Sequence, residues 1–122
     1  ASPQGGAPFA VVDWQIAARG RGVFDVAYLL CGGLDAPVRK ANEQRLLKLY
    51  HDILVENGVQ GYSFEQCWRE YRRMALYTFM YVVISLGTFD FANERGLKLF
   101  NAWLARATAA IEELNAAEEM PA

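Results

Sequence analysis

The stretch from Phe9 to Leu30, FAVVDWQIAARGRGVFDVAYLL, decides how the rest of the chain is read. Phe9, Ala10, Val11 and Val12 form an apolar run ending in Asp13, Trp14 and Gln15, the pattern of a buried strand that delivers a carboxylate at its end. Ile16 to Ala18 follow as a second short strand after a bend. Gly20 and Gly22 then break the chain. Asp25 comes just before Val26, Ala27, Leu29 and Leu30, which places it to cap the N-terminus of a short helix.

Beyond Gly32 and Gly33 every segment reads as helix. Asp35 offers an N-cap, and Pro37 is tolerated in a first turn. Val38, Ala41, Leu46, Leu47, Leu49, Tyr50, Ile53 and Leu54 recur at helical spacing and predict the core-facing stripe, with Arg39, Lys40, Glu43, Arg45, Lys48 and Glu56 on the solvent side. Gly58 ends that helix. Ser63 and Gln66 make a capping-box pair, so a third helix starts there. Its second half, MALYTFMYVVISLGTF from Met74 to Phe89, carries no charge and reads as the central buried helix, slightly short for a membrane span. A last helix runs to about Leu114 with Leu97, Phe100, Trp103, Leu104, Ala107 and Ile111 on its apolar side.

A chain of 122 residues suits one domain with a core of its own. The expected organisation is a disordered or cloning-derived N-terminus over residues 1–8, a helical subdomain over 9–115, and a frayed tail over 116–122. The formal charge of −2 argues against a nucleic-acid partner, which calls for a basic face. Three Trp, six Tyr and seven Phe in so short a chain predict either a thick core or a surface that another element covers. Cys31 and Cys67 have neither CxxC spacing nor a neighbouring His, and read as buried free thiols. With no secretory signal the expected location is the cytoplasm, with no membrane partner. His51, the only histidine, lies inside a helix without a second ligand and reads as a packing residue.

The wording VVDWQIAARGRGVFDVAYLL resembles the metal-binding segment of the aminoglycoside phosphotransferase and choline/ecdysteroid kinase-like superfamily, in which a hydrophobic-DW(E/Q) strand precedes G-x-x-x-x-D-(L/V)-A. LLKLYHDILVENGV followed by YSFEQCWREYRRMAL resembles the ecdysteroid kinase-like branch. The resemblance implies a mainly α chain, a short hairpin followed by about four helices, forming part of the C-lobe of a protein-kinase-like fold. It implies that Asp13 holds magnesium against the transferring phosphate and that Asp25 braces the catalytic loop from the following helix. Arg19 and Arg21, in the intervening turn, are either phosphate contacts or solvated loop charges, the second being the ordinary case.

Family members carry an H-G-D-(x)4-N catalytic loop shortly before the DW strand. Here Ala1 to Pro8 precede it, and none of these is His, Asp or Asn. The expectation is therefore the C-terminal portion of a small-molecule kinase. The parent uses ATP and magnesium on a hydroxyl acceptor, while this portion is inactive alone and binds neither tightly. Tyr77, Phe79, Tyr81 and Trp103 are candidates for the acceptor pocket, weighed against core packing, which helical spacing of aromatics more often means. A different class of function stands beside this one: a non-catalytic all-helical interaction module, a homodimer through exposed apolar helices. The third reading makes both aspartates structural caps in an unrelated helical bundle.

Overall fold

The computed structural model describes Trp14, residues 17–88 and residues 92–120. The expected hairpin, Asp13 included, lies almost entirely outside the described residues, and among those described there is no strand. The rest is helical, as the periodicity predicts. In order come α1 (Val23–Ala27), a π-turn (Tyr28–Gly32) continuous with it, α2 (Ala36–Glu56), α3 (Phe64–Leu86), α4 (Glu94–Glu113) and a 3₁₀ turn (Ala116–Glu119).

Local chemistry accounts for the boundaries. The Ser63 hydroxyl accepts from the Gln66 backbone N–H at 3.1 Å and Asn93 Oδ1 accepts from Gly96 N–H at 3.0 Å, so α3 and α4 each begin on a side-chain cap. Gly58 takes φ +93°, a conformation that costs a side-chain-bearing residue about 1 kcal/mol or more, and turns the chain out of α2. Two expected caps are absent. Asp25 lies in the first turn of α1 rather than ahead of it, because Gly22 is the N-cap residue. Asp35 occupies the cap position of α2 but makes no cap bond; its carboxylate accepts from Arg106 Nε at 2.9 Å instead.

α3 is the axis, packed against α1, the π-turn, α2, α4 and the 3₁₀ turn. The main core joins Val23, Ala27, Leu30 and Cys31 to Leu47, Cys67, Tyr71, Ala75, Ala110 and Leu114. A smaller cluster of Val82, Phe100 and Ala107, with Phe79, Trp103 and Leu104 against it, fastens the far half of α3 to α4. Both cysteines are free and buried.

α2 corrects the expected faces. Arg39 and Glu43 are buried, whereas Val38, Leu49 and Ile53 are about half exposed. The helix is rotated so that Arg39, Glu43, Leu47 and Tyr50, spaced three or four apart, point inward. A buried ion pair takes the place that hydropathy reserves for aliphatics: the Arg39 guanidinium donates to Glu43 and to Glu113 of α4.

In the segment expected to fray, the described residues form a 3₁₀ turn (Ala116–Glu119) bonded to α3. Arg72 donates from Nε to Leu114 O (2.6 Å) and from its two terminal nitrogens to Asn115 O, Glu118 and Glu119. Arg73 adds a bond to Glu119 O at 3.0 Å. These bonds fold the 3₁₀ turn onto α3 and bury Ala116 completely. The uncharged half of α3 is central yet only partly covered, since Tyr77, Met80, Val83, Ile84 and Leu86 are exposed. No helix among the described residues is long and apolar enough to cross a membrane.

Candidate functional site

The π-turn sets the geometry of the site. Widening the helix at Tyr28–Gly32 by one residue per turn pushes Tyr28 and Leu29 outward while Leu30, Cys31 and Gly32 stay buried. Tyr28 then meets three other rings: Phe24 at 5.9 Å, Tyr81 of α3 at 5.9 Å edge-on, and Trp103 of α4 at 5.9 Å edge-on. Phe24 and Tyr81 close the group at 5.8 Å. Such tilted contacts are the preferred arrangement of aromatic quadrupoles.

Beside this group an open cleft of about 390 Å³ is lined by Tyr28, Leu29, Gly32, Gly33, Leu99, Trp103 and Arg106. Gly32 is required there. A Cβ at that position would stand 2.7 Å from the indole Nε1 of Trp103, so the indole lies flush on the backbone of the π-turn. Gly33 is different, because a Cβ there meets only Leu29 Cδ1 at the ordinary distance of 3.8 Å. Arg106 stands at the rim, held through Nε by Asp35.

Of the residues expected to wall a pocket, the structure brings Tyr81 and Trp103 together around Tyr28. Trp103 lines the cleft itself, and Tyr81 is one ring removed from it. Tyr77 is exposed on α3 and lines no part of the cleft. Phe79 packs into the Val82 cluster as a core residue. The Tyr28, Leu29, Gly33, Leu99 and Arg106 lining was not legible, since it depends on a π-turn that no residue spacing announces.

Asp25 is exposed near the start of α1, and Asp13 lies outside the described residues. Arg21 is committed to Glu70 at 2.6 Å, and Glu70 also accepts from Tyr62 (2.9 Å) and Gln66 (3.1 Å). The same turn approaches α2 closely, with the Tyr50 hydroxyl packed against Gly22. Burial raises the Tyr50 and Tyr62 phenols, so both act as neutral donors or acceptors rather than phenolates. His51 packs as its position in a helix implies, its Nε2 lying 2.9 Å from Tyr62 O and its ring edge-on to Phe64.

A buried polar chain runs behind the site. Cys31 Sγ donates to the Tyr71 hydroxyl (3.5 Å), which donates to Glu43 Oε2 (3.0 Å), which accepts from Arg39. Desolvation pushes the Cys31 thiol up to about 11, so it is a weak donor and not a thiolate nucleophile. The i, i+4 spacing of Arg39 and Glu43 was the available signal for this chain. No group of three or more His, Cys, Asp or Glu able to hold a metal is present among the described residues.

The described residues form a helical bundle with an open aromatic cleft beside the π-turn. Residues 7–107 match the family model described as uncharacterized oxidoreductase dhs-27 (DUF1679), and the chain belongs to that family, which is part of the kinase-like, choline-kinase-like group. No curated protein and no solved structure matches the chain in the corresponding comparisons.

Proposed function

We propose that the chain is the C-terminal, acceptor-side portion of a small-molecule phosphotransferase of the aminoglycoside phosphotransferase and ecdysteroid kinase-like type, which moves a phosphoryl group from ATP to a hydroxyl. The observation that carries this reading is membership of a kinase-like family over residues 7–107, a span that contains the DWQ and G-x-x-x-x-D-V-A wording. In this reading Asp13 is the magnesium ligand. Asp25, exposed on the first turn of α1, braces a catalytic loop supplied by other sequence. Tyr81, Tyr28 and Trp103 stand on the acceptor side.

The described residues include no group of three or more His, Cys, Asp or Glu that could hold magnesium by themselves. Their task is to hold the acceptor and exclude water around it, which positioning accounts for a large share of phosphoryl-transfer catalysis. The word oxidoreductase in the family description has little support in this chain. Gly20 and Gly22 stand as the first two glycines of a dinucleotide fingerprint do, but Asp25 occupies the place of the third and would repel a pyrophosphate.

The test uses the intact polypeptide from its native source, incubated with γ-labelled ATP, magnesium and a panel of hydroxylated small molecules. Label transfer that Asp13→Asn abolishes is the expected result. Transfer that is absent across the panel, together with no effect of Mg-ATP on the melting temperature of the intact polypeptide, would overturn the reading. A second reading, a non-catalytic homodimeric module, draws on the exposed stripe of Tyr77, Met80, Val83 and Ile84.

A further inference from the structure

We propose that the cleft between the π-turn and α4 binds the apolar or aromatic body of a small carboxylate, with the carboxylate on the terminal nitrogens of Arg106. This deepens the phosphotransferase reading by naming the acceptor's chemical class, and it rests on that reading only for the word acceptor.

The walls choose the body. Tyr28, Leu29, Leu99 and Trp103 present ring faces, ring edges and methyl groups, and Leu29 and Leu99 are each about two-thirds exposed without a ligand. Gly32 is covered by the Trp103 indole, but Gly33 is exposed and leaves the floor open, so a flat ligand can lie on its backbone beside the indole. The volume lies in the range of about 300–1,000 Å³ usual for small-molecule sites.

Arg106 chooses the charged end. Its Nε is used on Asp35, while both Nη groups make no hydrogen bond among the described residues. A ligand seated against Trp103 shields those N–H groups from water, and a shielded guanidinium left without an acceptor is costly. A carboxylate supplies two oxygens in the geometry of the guanidinium fork. Asp35 does not forbid this, because it accepts at Nε and leaves the Nη pair open, and its largely solvent-exposed carboxylate repels a second one only through a high local dielectric.

The experiment titrates the 122-residue chain with naphthalene-2-acetate and, separately, with the uncharged naphthalene-2-acetamide, in buffer without nucleotide or metal. Calorimetry gives affinity, and amide and indole resonances of ¹⁵N-labelled protein give location. The expected result is a preference of about tenfold or more for the acid over the amide, with the largest shifts at Gly32, Gly33 and Trp103 Nε1. Arg106→Gln should reduce the acid to the affinity of the amide. Gly33→Leu should abolish both, since Gly33 has helical φ and ψ and the added side chain enters the cleft without a backbone clash.

Equal binding of acid and amide, shifts centred elsewhere, no binding at millimolar probe, or full binding to Gly33→Leu would each overturn the proposal. Location by resonance shifts needs no variant to fold. Failure here leaves the label-transfer test untouched, and failure of label transfer leaves this binding test untouched.

Discussion

Arg39 and Cys31 are the two ends of the buried chain Arg39, Glu43, Tyr71, Cys31, and each makes a separate demand on stability. Arg39 has no exposed surface, so its guanidinium bears the desolvation of burial, and its Nε has no hydrogen-bond partner among the described residues. Removing it strands the Glu43 carboxylate in the core beside Tyr71 and frees Glu113 from α2. Arg39→Ala should therefore lower unfolding free energy by about 3–5 kcal/mol, the usual cost of breaking a buried pair from one side, as measured by urea denaturation. Arg39→Met together with Glu43→Leu should lose less, because no charge is then stranded in the core and Glu113, about one-third exposed, can be hydrated. At the other end, the Cys31 thiol has an ordinary value of 9.0 when exposed and about 11 when buried. A folded value above the unfolded one means the contribution is complete below pH 9 and is lost as pH rises toward 11, where the unfolded chain ionises first. The denaturation midpoint should fall over that window by roughly 2–3 kcal/mol in free energy, and Cys31→Ala should remove that part of the slope. None of this was legible from hydropathy, which assigns Arg39 and Glu43 to solvent and gives no credit for mutual neutralisation.

Elements were legible where side chains cap the backbone and illegible where packing decides. Ser63 and Gln66 mark the start of α3, and Gly58 marks the end of α2, because those devices act within a few residues of sequence. The rotation of α2 and the π-turn after α1 answer to contacts with α3 and α4, which local spacing does not contain. The π-turn makes a sharp prediction about neighbouring glycines. Gly32→Ala drives a methyl group to 2.7 Å from the Trp103 indole and should cost about 1–3 kcal/mol, with a changed Trp103 fluorescence. Gly33→Ala, in open contact, should be neutral or slightly stabilising. The C-terminal 3₁₀ turn depends likewise on one distant residue. Arg72→Ala removes its bonds to Leu114 O, Asn115 O, Glu118 and Glu119. Amide protons of 116–120 should then exchange at rates near those of free peptide while the middle of α3 stays protected. Equal exchange before and after the substitution would mean that burial of Ala116, not Arg72, holds the turn.

At the scale of the molecule the uneven covering of α3 is the feature that reaches beyond this chain. Its first half is wrapped by α1, α2 and the 3₁₀ turn, and its second half meets α4 through the Val82 cluster, and Phe24 and Tyr28 through Tyr81, which leaves its remaining side open. Tyr77, Met80, Val83 and Ile84, at offsets of three, six and seven from the first, form a continuous apolar strip on the open side. Aromatic abundance points either to a thick core or to a covered surface, so the sequence is informative about the amount of apolar surface though silent about its place. Charge cannot keep such strips apart, because no acidic or basic residue lies between Met74 and Phe89. The isolated chain should therefore associate as its concentration rises, through this strip and not through the cleft. Val83→Lys is the discriminating variant. Val83 is about half exposed, so the lysine can reach water and stability should change by no more than about 0.5 kcal/mol. Sedimentation equilibrium should show association in the parent chain and a monomer in Val83→Lys at the same concentration. Should both sediment as monomers, the strip does not pair with its own copy, and the homodimeric module loses its main support. The cleft and its binding test would be unaffected, since Gly33 and Trp103 lie toward α1 and α4 and line a different surface.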